Sequence, residues 1–291
     1  MAKRRNFSSE EIKDICDFYT KNQARKPLAE KYGCTDKVIL RVLKENNIKI
    51  RHVLTRPKGT ENRKYNVNDD YFNINNQTHN SAYILGMLAS DGCVASDQNQ
   101  IYIELQREDK ELLEKINKEL QNEREVKDYE NHSKNTLNSK LYFFSQQIKT
   151  DLALYHIIPN KTAYDNDFME NIKEEFYMDY IRGHFDGDGS IKWTGGSINW
   201  QIDSTSLSTL IHMRDVLLKY GIETKITQSK DVSTHHHMPL YRIYFYGQEN
   251  GKKIYNLFYS NSDTIRMKRK QEKFQELLLK YKNPRDSESS V

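Results

Sequence analysis

Cysteine is scarce in this sequence, and long apolar runs are missing from it. The three cysteines, Cys16, Cys34 and Cys93, are odd in number and far apart in the 291 residues. This excludes a disulfide framework and a C-x-x-C metal motif, and it favours reduced thiols. No run reaches the roughly 18 apolar residues of a membrane span, and residues 1–5, MAKRR, lack the apolar stretch of a signal peptide. We expect a soluble, cytoplasmic protein with no membrane partner.

Charge, in contrast, is plentiful and unevenly distributed. Charged residues make up 30% of the chain, and the formal net charge is +4. Residues 1–64 hold 17 Lys and Arg against 8 Asp and Glu, so the remainder is slightly acidic. A basic region of this kind is typical of a surface that contacts the phosphates of nucleic acid.

Three short helical patterns fill the basic N-terminal part. Ser8 or Ser9 can cap a first helix, a second is expected near residues 26–32, and a third follows Thr35. Short helices joined by a glycine-containing turn resemble a helix-turn-helix. The basic residues that its third helix would offer to a DNA groove are Lys37, Arg41 and Lys44. A three-helix interaction module with a solvated basic face is the alternative.

A segment that ends in two acids, each followed by glycine, organises the rest of the chain. Residues 181–189 read IRGHFDGDG, and residues 84–92, placed 97 positions earlier, read ILGMLASDG. Each pattern predicts a helix with a glycine in its middle, Gly183 or Gly86, where a second backbone can approach closely. The two helices can therefore be each other's neighbours.

The last acid of each segment, Asp91 or Asp188, lies at the negative end of its helix, which is unfavourable by roughly 0.3–1 kcal/mol. The glycine that follows supplies the helix stop. A bound divalent cation is the simplest compensation for such an acid. The alternative is a pair of unrelated, glycine-capped helices with solvated acids.

Strand and helix patterns follow both segments in the same order. Ile101, Ile103 and Leu105 alternate with polar neighbours, and residues 198–203 repeat this alternation. An antiparallel sheet with one face on a core can turn its other face to a DNA groove. The outward-facing candidates for DNA contacts are Tyr102, Glu104, Asn199, Gln201, Arg242 and Tyr244.

The paired segments resemble the two motifs of single-chain LAGLIDADG homing endonucleases, and the resemblance covers residues 80–282. It implies an α+β fold: two pseudo-symmetric αββαββα LAGLIDADG repeats that form DNA-binding antiparallel sheets, here preceded by a small all-α helix-turn-helix domain. We expect a helix-turn-helix domain, a basic linker, a first repeat, a second repeat and a flexible tail, with the boundaries 1–50, 51–76, 77–164, 165–282 and 283–291.

The resemblance also implies an activity. Such an enzyme makes a site-specific double-strand break with short 3′ overhangs in a long double-stranded DNA target. It acts as a monomer with internal pseudo-twofold symmetry and is usually encoded in a mobile intron or stands free, here expected to be bacterial or phage-encoded. Asp91 and Asp188 would bind two or more Mg²⁺ ions, for which Mn²⁺ or Ca²⁺ can substitute in binding.

Further catalytic residues follow from the resemblance. Lys161 and Lys268 are the counterparts of a basic residue late in each half, and Gln106, at a strand end, could position water. The first segment departs from the pattern, because Ala89 and Ser90 stand where the second has Asp186 and Gly187.

Several alternatives remain open at this point. A non-cleaving DNA-binding regulator could use the same scaffold, although it would be expected to lose a motif acid. An intron maturase would use the scaffold to bind structured RNA and assist splicing. His184 is expected to be a packing residue, and the histidines at 235–237 are expected in an exposed loop.

Overall fold

The computed structural model describes residues 7–22, 26–46, 48, 64–131, 135–232, 238–260 and 264–280. The chain divides into two compact units, Met1–Lys58 and Gly59–Val291. The predictions for residues 51–63, 235–237 and 283–291 lie outside the described residues. Within the described ranges, no helix is long and apolar enough to span a membrane.

The N-terminal unit contains the helices α1 (Ser9–Asn22), α2 (Lys26–Lys31) and α3 (Asp36–Glu45). Asp14 of α1 accepts hydrogen bonds from Lys31 Nζ at 2.8 Å and from the Tyr32 hydroxyl at 2.5 Å. Gly33 takes a positive φ of 56° and turns the chain towards α3. The apolar side chains buried between the helices are Ile15, Tyr19, Leu28, Ala29, Ile39, Val42 and Leu43.

The second unit contains two similar series of elements. The first series is α4 (His79–Ser90), β1 (Gly92–Val94), β2 (Gln100–Gln106), α5 (Lys110–Glu119), β3 (Lys127–Asn131), β4 (Thr136–Phe144) and α6 (Gln146–Leu154). The second is α7 (Tyr177–Asp188), β5 (Gly189–Thr194), β6 (Ser197–Ser204), α8 (Leu207–Lys219), β7 (Lys225–Val232), β8 (Pro239–Tyr246), α9 (Gln248–Tyr259) and α10 (Lys268–Lys280).

Each series builds a four-stranded antiparallel sheet, in the order β1-β2-β4-β3 or β5-β6-β8-β7. The register of the two sheets is equivalent, because Gly92 pairs with Ile103 and Gly189 pairs with Ile202. The predicted α+β fold of two repeats is thereby confirmed.

The alternation of apolar and polar residues explains how each sheet covers its core. In β2, Ile101, Ile103 and Leu105 are buried. In the second sheet, Trp200 stacks between Phe185 and Phe245, with ring centroids 5.5 and 5.3 Å apart. These contacts pack the sheet against α7.

Part of the predicted linker 51–76 is folded. Residues 64–76 pack on the first repeat, where Val67 and Phe72 are buried in its core. The Asn68 N–H donates to Leu120 O at 2.9 Å, and the Asn66 N–H donates to the Glu123 carboxylate. The asparagine-rich composition hides these two apolar anchors from a prediction based on periodicity.

Candidate active site

The helices α4 and α7, here called the motif helices, pack directly against each other through their glycines. A Cβ atom at Gly86 would collide with the backbone oxygen of Tyr180, and one at Gly183 would collide with that of Tyr83. Backbone therefore touches backbone in this seam, which only glycine permits. The two glycines that the sequence indicated for helix packing lie at the points of closest approach.

The seam brings the last acids of the two motif helices together. Asp91 caps α4, and its N–H donates to Met87 O, whereas Asp188 is the final residue of α7. A Cβ built on Gly187 would lie 3.1 Å from Asp91 Oδ2, so that carboxylate lies against the residue next to Asp188. Asp188 is exposed to solvent and Asp91 partly so, although surrounding protein atoms limit the hydration of both carboxyl groups.

The electrostatics of this pair reflect two acids in poorly solvated surroundings. Desolvation by the surrounding protein, followed by the nearby charge of Asp91, raises the pKa of Asp188 to about 7. Desolvation also raises the pKa of Asp91, an effect that the charges of Lys270 and Lys161 oppose. Asp188 is thus partly protonated at neutral pH, and a bound cation could replace that proton.

Two lysines reach equivalent carbonyl groups beside these acids. Lys161 is 8% exposed and donates from Nζ to Gly92 O at 2.5 Å. Lys270 donates to Gly189 O at 2.7 Å, to Phe185 O at 2.6 Å and to Gly187 O at 3.1 Å. Burial lowers the pKa of both lysines, and the acids oppose that shift. Each repeat therefore contributes one lysine to the site.

Lys268, the predicted counterpart in the second repeat, is not brought to the acids. Its side chain is 71% exposed and lies 3.7 Å from Glu272 on the same helix. Residues 268–270 are all basic, and α10 begins at Lys268, so only the phase of the helix decides which of them faces inward. That phase places Lys270, two positions later, beside Gly189.

Gln106 is exposed at the last position of β2, opposite Asn138. An acid that the sequence analysis did not select lies closer to the site in the other repeat. The charge of Asp203, near the end of β6, helps to raise the pKa of Asp188. Asp203 also forms a two-pronged ion pair with Arg242, at 2.6 and 2.9 Å. The alternation of apolar and polar residues in β6 places Asp203 on the outward face, and this pattern could have identified it from the sequence.

Asp186 accounts for the difference between the two motif segments. It is fully buried and accepts hydrogen bonds from the Tyr83 hydroxyl at 2.7 Å and from the Met267 N–H at 2.8 Å. It thus connects α4, α7 and the residue that precedes α10. Ala89, also buried, occupies the equivalent position of the first repeat. His184 is 1% exposed between the motif helices, as a packing residue would be.

The outward faces of the two sheets differ. Tyr102 and Glu104 are half-exposed in the first sheet, with Lys140 Nζ 3.6 Å from the Tyr102 ring centroid. In the second sheet, Asn199 and Gln201 are only 5% and 7% exposed. They lie in β6, between β5 and β8.

The remaining predicted DNA-contact residues occupy varied surroundings. Tyr244 packs edge-to-face with Tyr246 at 5.5 Å, beside the paired Arg242. Lys37 and Lys44 are exposed on α3. Arg41 lies 3.7 Å from Glu45, one helical turn away.

The donor set fits a divalent cation that is only partly coordinated by protein. Asp91 and Asp188 offer carboxylate oxygens, and Mg²⁺ is commonly bound by one or two carboxylates together with water and substrate phosphates. Among the described residues, no group of three or more His, Cys, Asp and Glu side chains could hold a metal ion. Water or phosphate oxygens would have to complete the coordination.

Comparison with known proteins agrees with this geometry. The model of the family described as LAGLIDADG-like domain matches residues 78–162 and 175–278. A comparison with curated protein sequences finds no match.

Several solved structures are similar in fold. The LAGLIDADG homing endonuclease I-GzeII, in complex with its DNA target, is 12% identical, with a TM-score of 0.46 over 72% of this chain and 92% of that chain. I-DmoI, in complex with DNA and Ca, is 13% identical, with a TM-score of 0.44 over 72% and 99%. Full-length DUF199/WhiA from Thermatoga maritima is 14% identical, with a TM-score of 0.45 over 73% and 64%.

Proposed function

The chain belongs to the family of LAGLIDADG-like domains, and we propose that it is a site-specific, metal-dependent DNA endonuclease that cuts both strands of a long target and leaves short 3′ overhangs. The observation that carries this proposal is the meeting of Asp91 and Asp188 at the ends of two motif helices, with a lysine of each repeat beside them. The charge of Asp91 helps to raise the pKa of Asp188, and a bound cation would offset this cost of placing two acids together.

In this proposal Asp91 and Asp188 hold the divalent ions. Such a cation, when bound, supplies positive charge to the phosphate and lowers the pKa of a water molecule. The raised pKa of Asp188 supports this role, because a cation would replace the proton that the pair otherwise retains.

Lys161 and Lys270 provide the second part of the proposed chemistry. Each Nζ is fixed by a backbone carbonyl, so its charge is held in place before DNA arrives. Phosphoryl transfer develops negative charge on oxygen, which preorganised cations stabilise. Because burial lowers the pKa of each lysine, Nζ can also exchange a proton with a nearby oxygen more readily than a solvated lysine can.

We also propose that the target is double-stranded DNA bound along the outward faces of the two sheets, and that residues 1–50 form a helix-turn-helix domain that extends the contact. The exposed Lys37 and Lys44 of α3 support the second part of this proposal. The boundaries 77–164 and 165–282 for the two repeats remain part of this proposal.

The test is cleavage of a plasmid library with random or genomic inserts, in Mg²⁺ or in EDTA, by the full chain and by Asp91→Asn and Asp188→Asn. We expect linear product only with metal, and nicked product at most from either variant. The matched control is Asp97→Asn, an exposed acid in the turn before β2, which should cut like the wild type. Binding to a site in the library without any cutting would overturn the proposal.

A further inference from the structure

The lysine of each repeat lies on a segment that is anchored to the other repeat. In the second repeat, Arg269 is the neighbour of Lys270 on α10 and donates to the Asp109 carboxylate, at 2.7 Å from Nη2 and at 3.2 and 3.3 Å from Nε. Arg269 also lies 3.1 Å from Glu108. Both acids directly precede α5, in the first repeat.

Residues 155–176 connect the two series of elements, and the part of this segment after Lys161 is held by the second series. Asp165 accepts a hydrogen bond from the Ser208 N–H at 2.9 Å. The backbone oxygen of Asn166 accepts from the hydroxyls of Ser206 at 2.5 Å and Thr209 at 2.9 Å. These partners form the start of α8, in the second repeat.

The two anchoring points are equivalent positions of the fold. Ile103 pairs with Gly92, and Asp109 lies six residues after Ile103. Likewise, Ile202 pairs with Gly189, and Ser208 lies six residues after Ile202. The two contacts are therefore equivalent at their Asp109 and Ser208 ends only, because Arg269 lies one residue before Lys270 whereas Asp165 lies four residues after Lys161.

The ion pair joins a buried carboxylate to a half-exposed guanidinium group. The Asp109 side chain is 5% exposed, whereas that of Arg269 is 48% exposed. Removing Arg269 would leave a carboxylate without its main partner in poorly solvated surroundings, which is more damaging than removing both charges together. Removing Asp109 alone leaves an arginine that reaches water and Glu108.

We propose that Arg269 with Asp109, and Asp165 with Ser208, are positioning contacts that each hold one lysine in place from the opposite repeat, so that disrupting either contact slows the cutting of one DNA strand, and of a different strand in each case. This inference rests on the endonuclease activity proposed above. The strand selectivity arises because Lys161 and Lys270 donate to separate carbonyls, Gly92 O and Gly189 O, and each keeps its own anchor when the other is removed.

The experiment follows both strands of an end-labelled duplex that carries the target selected by the wild-type full chain. Arg269→Gln should cut one strand within about twofold of the wild-type rate and the other about tenfold to a hundredfold more slowly, the decrease expected when a catalytic group is displaced by about 1 Å. Asp165→Ala should slow the cutting of the strand that Arg269→Gln leaves nearly unaffected. The double variant Arg269→Gln/Asp109→Asn should cut faster than Arg269→Gln alone, since no unpaired carboxylate remains.

Each variant has a matched control. Lys273→Gln removes a charge from the same helix, where Lys273 pairs with Glu276 at 2.9 Å. Glu170→Gln removes an acid from the segment that connects the repeats, where Glu170 pairs with His156 at 2.7 Å. Both should cut like the wild type. Equal slowing of both strands, slowing of the same strand by both variants, or slowing by Lys273→Gln would overturn the proposal.

A second measurement needs no cleavage and separates this inference from the proposed function. Hydrogen exchange of the amides at 268–272, without DNA, should be about fivefold faster or more in Arg269→Gln than in Lys273→Gln, because the start of α10 opens more easily without its ion pair to Asp109. Equal exchange in the two variants would overturn the anchoring role, whether or not the wild type cuts DNA.

Discussion

At the residue scale, the site consists of charges that the fold holds close together before any ligand is bound. Each repeat contributes one acid and one lysine: Asp91 and Lys161 from the first, Asp188 and Lys270 from the second. The charge of each group shifts the pKa of one or more of the others. Their partners are mostly backbone carbonyls rather than one another. This leaves the carboxylates available for cations and the ammonium groups fixed in place.

The shifted carboxyl group makes metal binding depend on pH. The pKa of Asp188 is about 7, above its ordinary value of 3.8, so the carboxyl retains a proton below neutrality and a cation must displace it. The affinity for Mg²⁺ should rise about tenfold per pH unit up to pH about 7 and level off above it. Calorimetric titration of the protein with Mg²⁺ at several pH values measures this slope.

The control for this titration is Asp188→Asn, which should bind Mg²⁺ more weakly and without the same dependence on pH. An affinity that does not change with pH in the wild type would show that no proton is displaced, and would contradict the raised pKa of Asp188.

The basic run at the start of α10 allows a second test with a closely matched control. Lys270→Met should slow the cutting of at least one strand by about a hundredfold, since the site then lacks a preorganised cation. Lys268→Met removes the same charge two residues away, from a side chain that is 71% exposed, and should cut nearly normally. Single-turnover rates on the selected target distinguish the two. Similar decreases in both variants would restore Lys268 as a candidate.

Asp91 and Asp188 could be selected from the repeated pattern because helix ends are local features, and Lys161 could be selected only through the resemblance. Lys270 could not be identified in the same way. Its inward direction depends on where α10 begins, and that depends on the hydrogen bond between Asp186 and the Met267 N–H. Contacts between segments 81 residues apart leave no periodic signal.

At the scale of elements, the seam between α4 and α7 determines how the two repeats meet. It contains no side chain at its two closest points, Gly86 and Gly183. Sequence patterns were sufficient to predict that the motif helices are neighbours and in which order helices and strands follow along the chain, since both depend on spacing that recurs in each repeat. They were insufficient for residues 64–76, where only Val67 and Phe72 anchor the chain to the core.

The seam predicts a specific decrease in stability. In Gly86→Ala the new methyl group would meet the backbone of Tyr180 and His184, and we expect the free energy of unfolding to fall by roughly 1–3 kcal/mol, the usual cost of overpacking. Urea unfolding followed by tryptophan fluorescence measures this unit, because Trp193 and Trp200 both lie in it.

Gly251→Ala is the control, since Gly251 is also helical but its added Cβ would meet only the side chain of Ile198, at 3.2 Å. The gain in helix propensity is the same in both variants. If the two variants have the same free energy of unfolding, the motif helices can move apart to accept the methyl group without a measurable loss of stability.

At the scale of the whole molecule, charge is divided between two units of different construction. The N-terminal unit is small and helical and lies within the basic part of the sequence. Its three helices could be predicted from caps and periodicity. Its role in DNA binding could not, because exposed lysines serve a DNA-binding domain and a solvated surface equally well.

Salt dependence tests that role. If Lys37 and Lys44 bind phosphates, replacing both with alanine should reduce the slope of log affinity against log salt by about 1.8, or 0.9 for each phosphate that is no longer neutralised. Lys13→Ala, from an exposed position on α1, should leave the slope unchanged. Fluorescence anisotropy with a labelled duplex at several salt concentrations gives the slope. An unchanged slope in the double variant would exclude phosphate binding by these two lysines.

The unequal outward faces of the two sheets bear on the kind of sequence that such a protein recognises. One sheet presents Tyr102 and Glu104, whereas the other covers Asn199 and Gln201 and pairs Arg242 with Asp203. Both faces belong to one polypeptide, so a substitution in one is not copied into the other. If the proposed function holds, the two halves of the DNA target need not have related sequences, and each half can change together with the sheet that contacts it.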